Sequence, residues 1–227
     1  MKEHRGRPFV IAAPSGTGKT TVCRQVVERD PGIAFSVSHT TRPRRSSERD
    51  GIDYHFVSEP EFLRMVEAGE FLEHARYSGH LYGTSRAAIE KPLAQGRDVL
   101  LEIETEGARQ VRERRPDAVL VFLLPPSLGE LEQRLRGRNT DDPAEVARRL
   151  EIARREFGAA SLFDAFVVND RVEVAVADVL AVVVAAREGG RPFDAPRFGL
   201  ANARARLDPA LRAWLPSEDL REATHPR

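Results

Sequence analysis

The stretch PFVIAAPSGTGKTT, residues 8–21, predicts a strand, a tight turn and a helix in immediate succession. It begins with an almost continuous apolar run, which is typical of a strand buried on both faces of a parallel sheet. Gly16 and Gly18 lie in the turn, and a helical pattern begins near Lys19. The backbone N–H groups of the turn would therefore collect at the N-terminus of a helix, where anions bind favourably.

The same residues fit the P-loop pattern GxxxxGK[ST], except that Ala13 occupies the position of the first glycine. Alanine costs little there provided that its φ is negative. An ordinary glycine-rich turn is the alternative, but Lys19 is one of only three lysines in the chain and stands at the motif's lysine position. Lys19 would reach the β and γ phosphates, and Thr20 would hold Mg²⁺. The predicted nucleoside triphosphate site consists of Ala13, Pro14, Ser15, Gly16, Thr17, Gly18, Lys19, Thr20 and Thr21.

The amino-acid composition limits the classes of protein to which the chain can belong. The chain has 227 residues, enough for one domain with a substantial core, and its 35 basic and 35 acidic residues leave no net charge. We therefore expect no nucleic acid and no membrane among its partners. Cys23 is the single cysteine, and the polar N-terminus does not resemble a signal peptide. The apolar stretch at 174–186 contains Asp178 and is shorter than the roughly 20 residues of a membrane-spanning helix. These features predict a cytoplasmic protein.

Short apolar runs alternate with helical patterns along the chain. This alternation predicts an α/β fold of the P-loop NTPase type, with a parallel sheet and helices on both of its faces. Strands are predicted at 8–13, 34–38, 98–104, 118–124 and 165–169. Helices are predicted at 18–29, 106–114, 127–136, 143–158 and 172–187.

Two segments interrupt the alternation. About sixty residues separate the second and third strands, whereas a crossover between parallel strands requires about a dozen. We therefore expect an inserted subdomain of mixed α/β structure, in which Ser58 and Glu61 predict a capped helix. The second segment, RGRNTDDPAE at 136–145, predicts a mobile lid. The predicted domains are a core of residues 1–38 and 96–188 with a lid near 136–148, an insert of residues 39–95, and a C-terminal extension of residues 189–227.

The C-terminal extension contains the stretch LDPALRAWL, residues 207–215. Its apolar spacing predicts a short amphipathic helix that packs back on the domain. The alternative is that Trp214 binds a partner. The sequence assigns no further role to the extension.

The strand DVLLEIE, residues 98–104, contains Glu102 and Glu104 at its end. Residues i and i+2 of a strand face the same side, so both carboxylates would project from the edge where open α/β sheets bind ligands. The alternative is that the strand simply reaches water there. A second set of polar residues lies at the start of the insert. Its hydroxyl, guanidinium and phenol groups could surround a second phosphate. The alternative is a basic loop that is merely solvated. The members of this set are Ser38, Arg42, Arg45 and Tyr54.

From about Pro8 to about Glu188, the sequence resembles the guanylate kinase family. The resemblance is carried, in the family's order and spacing, by APSGTGKTT, SVSHTTRPRR, GIDYHFV, EFLEHARYSGHLYGTS, the strand ending in acid-x-acid, RLRGR and VVND. It implies an enzyme that transfers the γ-phosphoryl group of ATP to GMP, with Mg²⁺ as cofactor. The expected assembly is a monomer or a homodimer, and the sequence does not choose between them. The resemblance implies that the GMP phosphate is bound by Ser38, Arg42, Arg45, Tyr54 and Tyr82, and that guanine is recognised by Glu73, Thr84 and Glu104.

The resemblance also implies roles on the donor side. Glu102 would help to hold Mg²⁺ through water, and Asn169 would contact adenine, although a cap at the strand end is the alternative for Asn169. Three arginines are candidates for neutralising the moving phosphoryl group. We favour Arg138 and Arg149 over Arg134, which could equally lie on a helix surface. The predicted catalytic residues are Lys19, Arg42, Arg138 and Arg149, and Arg138 is also expected to bind ATP.

The sequence departs from the family's pattern at three acids. Glu102 and Glu104 stand where aspartates are usual, and Glu106 stands where glutamine is common. Each extra methylene could displace the metal or the base by about 1 Å. Two other functions fit parts of the chain, namely a guanylate-kinase-like scaffold module that binds phosphopeptides and a related small-molecule kinase such as a ribose-bisphosphate kinase. The intact Lys19 argues against the first, and the guanine-recognising carboxylates argue against the second.

Overall fold

The computed structural model describes residues 6–136, 142–189 and 196–216. Its strands are β1 (Pro8–Ala12), β2 (Ile33–Phe35), β3 (His39–Thr40), β4 (His55–Phe56), β5 (Phe71–Tyr77), β6 (His80–Ser85), β7 (Asp98–Glu102), β8 (Val119–Leu124) and β9 (Ala165–Val168). Its α-helices are α1 (Lys19–Arg29), α2 (Glu59–Glu67), α3 (Arg86–Ala94), α4 (Thr105–Arg114), α5 (Leu128–Arg136), α6 (Pro143–Phe157), α7 (Val172–Arg187), α8 (Leu200–Arg206) and α9 (Pro209–Arg212). One sheet has the strand order β2-β7-β1-β8-β9, and the other has the order β4-β3-β6-β5.

The five-stranded sheet is most deeply buried at β1, β8 and β9, whereas β2 is half-buried. All six residues of β8 and all four residues of β9 are buried, because a strand covered on both faces needs an apolar side chain at every position. β8 pairs with β9, and β2 pairs with β7, both in parallel register. The predicted α/β fold is confirmed, and each predicted strand and helix of the alternation is present.

The chain divides into two compact units. The first unit consists of Met1–Val10 and Pro31–Ala118, and the second consists of Ile11–Asp30 and Val119–Arg227. The predicted domain boundaries stay a prediction. Within the described ranges, none of the helices has the length and apolarity that crossing a membrane demands.

The four-stranded sheet of the first unit has one apolar face. Phe62 and Met65 of α2 pack there with Phe71 and Leu81. A β-bulge lies between Phe71 and Glu73. The extra residue of a bulge reverses the alternation of side chains along a strand. Glu73 is thereby turned away from the apolar face that Phe71 occupies.

The sequence predicts the cap of α2 but does not predict β5 or α3. The Ser58 hydroxyl accepts a hydrogen bond from the Glu61 backbone N–H at 3.3 Å, as expected. α3 contains Pro92, and a proline inside a helical pattern normally argues against a helix. The helix nevertheless begins with a good cap, because the Ser85 hydroxyl accepts from the Ala88 N–H at 3.3 Å.

The second unit packs around an aromatic cluster. Phe122 of β8 stacks on Phe163 with ring centroids 4.6 Å apart, and it makes edge contacts with Phe157 and Phe166. The predicted short helix of the extension occurs as α9. It packs on this unit, because Leu211 is fully buried and the Trp214 ring meets Phe157 edge-on at 5.5 Å. The alternative role of Trp214 in binding a partner is not needed to explain its position.

Candidate functional site

The P-loop connects β1 to α1 through two left-handed glycines. Gly16 has φ 88° and Gly18 has φ 92°, conformations that strain other residues. Among described residues other than glycine, only Ser78 has a positive φ, so Ala13 meets the condition on which its tolerance depends. Gly18 is the N-cap of α1 and supplies no side-chain cap. The first N–H groups of α1 therefore belong to a terminus suited to phosphate.

Two side chains of the second unit contact the backbone of the P-loop. The Thr17 carbonyl accepts from Asn169 Nδ2 at 2.8 Å and from Arg134 Nη1 at 3.1 Å. A Cβ atom on Gly18 would lie 2.9 Å from the same Asn169 nitrogen, so glycine is needed for this close approach. Arg134 also donates to the Asn169 carbonyl at 3.3 Å. Its guanidinium is part-buried and also donates to Glu130 of the same helix at 2.9 Å.

Arg149 contacts the P-loop at Ser15. Arg149 Nη2 donates to the Ser15 hydroxyl at 2.9 Å, and Arg149 Nη1 donates to the Leu135 carbonyl at 3.2 Å. The Ser15 N–H donates to the buried Glu156 carboxylate at 3.4 Å. One of the two favoured arginines is therefore adjacent to the predicted triphosphate site. The other, Arg138, lies outside the described residues.

In the first unit, a buried carboxylate and two hydroxyls form one hydrogen-bonded group. Glu73 and Thr84 are directly opposite each other on β5 and β6, which places their side chains on the same face. Thr84 Oγ1 donates to Glu73 Oε1 at 2.6 Å. The Ser38 hydroxyl lies 3.2 Å from Thr84 Oγ1. Glu73 is only 4% exposed, so this carboxylate is a strong candidate for recognising a polar ligand.

Helix α4 determines where Glu73 lies. A Cβ atom on Gly107 would be 2.5 Å from Glu73 Oε2, so the carboxylate occupies the space that any larger residue would fill. Gln110 contacts the backbone of His74 twice, accepting from its N–H at 3.2 Å and donating to its carbonyl at 2.8 Å. Arg114 donates to the Leu72 carbonyl. These bonds satisfy the outer edge of β5 on both sides of Glu73.

Arg42 lies among aromatic rings and is paired with Glu48. Its guanidinium is 5.6 Å from the centre of the Tyr54 ring, and Nη2 donates to Glu48 Oε1 at 2.7 Å. Burial disfavours both charges, but hydrogen bonding outweighs it: bonds to Glu48 and Tyr82 raise the pKa of Arg42, and bonds from Arg42 and the Arg45 backbone lower the pKa of Glu48. Both groups are therefore charged at neutral pH.

The remaining predicted site residues of the first unit do not all lie close together. The Tyr54 and Tyr82 rings meet edge-on at 6.0 Å, whereas the Arg45 side chain is 72% exposed, with Nη1 4.0 Å from Glu48 Oε1. Glu104 is the N-cap residue of α4 without a side-chain cap bond. Glu102 lies beside a small cavity that is lined by Phe35, Ser36, Ser38, Asp53, Tyr54 and Glu102. The structure thus brings Ser38, Tyr54 and Glu102 to one cavity and leaves Arg45 apart from it.

Thr20 of the second unit carries a hydroxyl and Glu102 of the first unit carries a carboxylate, and each is an oxygen donor of the kind that Mg²⁺ prefers. Within the described ranges, His, Cys, Asp and Glu side chains form no group of three or more that could hold a metal ion. Mg²⁺ in a kinase needs no such group, because nucleotide phosphates and water supply most of its ligands. The residues present are therefore compatible with a nucleotide-bound ion.

The sequence does not predict the contacts of Glu48, Gly107 and Gln110, although Gly107 belongs to the family's pattern as the glycine that follows the acid-x-acid strand. A glycine inside a predicted helix signals a close approach, and Gly107 is such a glycine. Glu48 and Gln110 carry no local signal, because each acts on a backbone or side chain that only folding brings near. Arg134 was recognised as a candidate, but its contact with the P-loop backbone was not predicted.

The parallel sheet, the glycine-rich turn after β1 and the helix N-terminus that follows it define a P-loop nucleotide-binding α/β protein. Comparison with known families identifies which family of P-loop proteins the chain belongs to. Residues 5–186 match the family model described as guanylate kinase. The chain belongs to the guanylate kinase family.

Individual relatives agree with this assignment. The chain is 51% identical to a protein named guanylate kinase from Thermus thermophilus, over 95% of this chain and 94% of that one. It is 50% identical to a guanylate kinase from Synechococcus sp., over 79% of this chain and 82% of that one. Among solved structures, it resembles guanylate kinase from Anaplasma phagocytophilum with a TM-score of 0.69 and 31% identity, over 81% of this chain and 87% of that one.

Proposed function

We propose that this protein is a guanylate kinase that transfers the γ-phosphoryl group of ATP to GMP and releases ADP and GDP. The proposal is carried by the buried pair of Glu73 and Thr84, joined at 2.6 Å, in a chain whose P-loop retains Lys19. A P-loop alone serves many nucleoside triphosphates, whereas a buried carboxylate beside a hydroxyl suits recognition of one base. Relatives named guanylate kinase support the same activity.

Guanine recognition follows from hydrogen-bond polarity. Guanine presents two donors, N1–H and N2–H, on one edge, and the Glu73 carboxylate can accept from them. Adenine would direct the lone pair of its N1 at the same carboxylate and leave a buried repulsion. Such mismatches can discriminate by about 10⁴ to 10⁵. Thr84 orients Glu73, and Glu104 is proposed as a further acceptor.

The GMP phosphate is proposed to bind the guanidinium group of Arg42, which is already charged. Arg42 is held between Glu48 and the Tyr54 ring, so little side-chain freedom is left to lose on binding. A guanidinium group matches the geometry of phosphate oxygens. The proposed phosphate-binding residues are Ser38, Arg42, Arg45, Tyr54 and Tyr82.

The transfer itself needs no general base. An oxygen of the GMP phosphate, which is already an anion, attacks the γ-phosphorus of ATP as the bond to the β,γ-bridging oxygen breaks, and that electron pair leaves with ADP. Lys19, Arg138 and Arg149 are proposed to neutralise charge on the moving group. Mg²⁺, held by Thr20 and through water by Glu102, would neutralise phosphate charge when bound. Asn169 is proposed to support the adenine side of the site.

We also infer a cytoplasmic location, because both substrates and Mg²⁺ are abundant there and the single cysteine, Cys23, leaves the chain no internal disulfide. Monomer and homodimer both stay open as predicted assemblies. The absence of nucleic-acid and membrane partners also stays a prediction.

A coupled assay of ADP release tests the proposed function. We expect ADP and GDP to form in equal amounts when ATP, Mg²⁺ and GMP are present, and almost no ADP to form without GMP. Lys19→Ala should abolish transfer and leave GMP affinity intact, whereas Lys91→Ala, which removes an exposed lysine of α3, should change neither. ATP binding without any GDP formation would refute the proposal.

A further inference from the structure

The C-terminal segment, residues 196–216, lies beyond the family match, which ends at residue 186. The Thermus thermophilus relative aligns over 216 residues, or 95% of the chain, so that likeness extends well past residue 186 and includes this segment. The segment is thus shared with this relative although the family model does not include it.

The segment is anchored to the second unit by a buried carboxylate. Asp178 of α7 is 2% exposed, and it pairs with Arg197 and, at 3.8 Å, with Arg206. A buried charge persists only when it is paired. The segment also contributes buried apolar side chains, which are Phe198, Leu200, Ala203, Leu207, Leu211 and Leu215. Both features show that the segment is an integral part of this unit.

Asp208 joins the segment to the beginning of α5. Its Oδ2 accepts from the Leu128 N–H, the first residue of α5, at 2.6 Å. Its own N–H donates to the Pro126 carbonyl at 3.3 Å, and its Oδ1 accepts from the Leu211 N–H at 2.8 Å. One carboxylate therefore bonds to backbone donors of two helices, α5 and α9. Bonds of this kind to an ionised group are about twice as strong as neutral ones.

Trp214 joins the segment to the end of α6. Its ring meets Phe157, the last residue of α6, edge-on at 5.5 Å. Arg204 donates to the carbonyls of Leu215 and Pro216, which keeps the chain beside Trp214 in place. The segment thus contacts both α5 and α6, and it does so at the end of each helix.

α5 and α6 in turn hold the P-loop. Arg134 of α5 donates to the Thr17 carbonyl at 3.1 Å, and Arg149 of α6 donates to the Ser15 hydroxyl at 2.9 Å. A Cβ atom on Gly16 would lie 2.9 Å from Leu135 of α5. Because a short helix moves as a rigid rod, a displacement at its N-terminus reaches the side chains that contact the loop.

We propose that the C-terminal segment positions α5 and α6 against the P-loop, with Asp208 as the main positioning residue. The proposal rests on the proposed function only in taking ATP as the ligand of the P-loop. Loss of the Asp208 bonds would leave Ser127, which accepts from the Glu130 N–H at 3.1 Å, as the remaining side-chain cap of α5, and the loosened helix would let Arg134 withdraw from Thr17. ATP affinity would fall about tenfold, since misplacing a binding group by 1 Å can cost as much as 10²-fold.

The test compares Asp208→Ala with Arg197→Ala in the full chain. Arg197→Ala loosens the segment at Asp178 but removes no contact with α5 or α6, so it controls for general loss of stability. ATP and GMP dissociation constants are measured by calorimetry, and amide hydrogen exchange is followed in residues 128–136 and 143–157. Asp208→Asn, which keeps one acceptor oxygen, provides a milder variant if the alanine variant folds poorly. Binding of ATP is measured directly, so the test stands even if GMP is not phosphorylated.

We expect Asp208→Ala to weaken ATP binding about tenfold and to speed exchange in α5, with GMP affinity within about twofold of the parent. Asp208→Asn should show an intermediate effect, and Arg197→Ala should leave both affinities unchanged. Either of two results would overturn the proposal. One is a lowered Tm in Asp208→Ala and Asp208→Asn with ATP affinity unchanged. The other is an equal loss of ATP affinity in Arg197→Ala.

Discussion

Replacing Gly107 by alanine should weaken GMP recognition without weakening the fold. The added Cβ would lie 2.5 Å from Glu73 Oε2 and 3.1 Å from the carboxylate carbon. An ordinary van der Waals separation is about 3.5 Å, so the carboxylate must retreat by about 1 Å. The Thr84 hydroxyl, at 2.6 Å from the other carboxylate oxygen, would have to move with it or lose its bond.

The size of the effect follows from that displacement. A 1 Å misplacement of a binding group can cost about 10²-fold, or about 2.7 kcal/mol of transition-state stabilisation. We therefore expect kcat/KM for GMP to fall about 100-fold in Gly107→Ala, mainly through KM. Alanine is favoured over glycine inside a helix by about 1 kcal/mol, which opposes the steric strain in α4. The Tm should consequently change little.

The assay is steady-state phosphorylation of GMP with ATP saturating, together with thermal unfolding. Gly129→Ala is the matched control, because Gly129 also lies in a helix and a Cβ there would meet nothing within 4 Å. The control should keep the parent's KM for GMP. An unchanged KM in Gly107→Ala, or a fall in kcat/KM explained by a large loss of Tm, would refute the reasoning.

Three further changes test other parts of the structure. Asn169→Ala removes one of the two donors to the Thr17 carbonyl and leaves Arg134 as the other, so KM for ATP should rise about tenfold with KM for GMP unchanged; a change in KM for GMP alone would contradict the assignment. Burial, and then the charge of His55, lower the pKa of His39 below 6.5. The unfolded chain therefore binds this proton more tightly, and stability present above pH 6.5 is lost as pH falls. The drop in Tm from pH 7.5 to 5.5 should be smaller in His39→Asn than in the parent, and equal drops would contradict the pKa assignment. Phe122→Ala should lower the free energy of unfolding by about 3 to 5 kcal/mol in urea titrations, and a loss below 1 kcal/mol would mean that the aromatic cluster collapses around the gap.

Much of the fold could be predicted from local pattern. The strand, turn and helix around Lys19 and the cap at Ser58 are decided by neighbouring residues, so the sequence displays them directly. β5 was not predicted, because its bulge after Phe71 breaks the alternation by which a strand is recognised. α3 was not predicted, because Pro92 contradicts the helical pattern.

In the candidate site too, some features are decided by neighbouring residues and others only by folding. The residue types for binding phosphate and guanine were visible in sequence blocks, but the contacts that position them join distant segments. Gln110 acts on His74 across 36 residues, and Asp208 acts on Leu128 across 80 residues. No spacing rule relates such pairs, because only tertiary packing brings them together. Whether each predicted site residue contacts its substrate stays a prediction.

The central claim is that a buried carboxylate selects guanine as the acceptor base. The most direct measurement is kcat/KM for GMP, AMP, CMP and UMP in one coupled assay with ATP and Mg²⁺. The proposed role of Glu73 predicts that GMP is preferred over AMP by about 10⁴ or more. Equal use of GMP and AMP would contradict it.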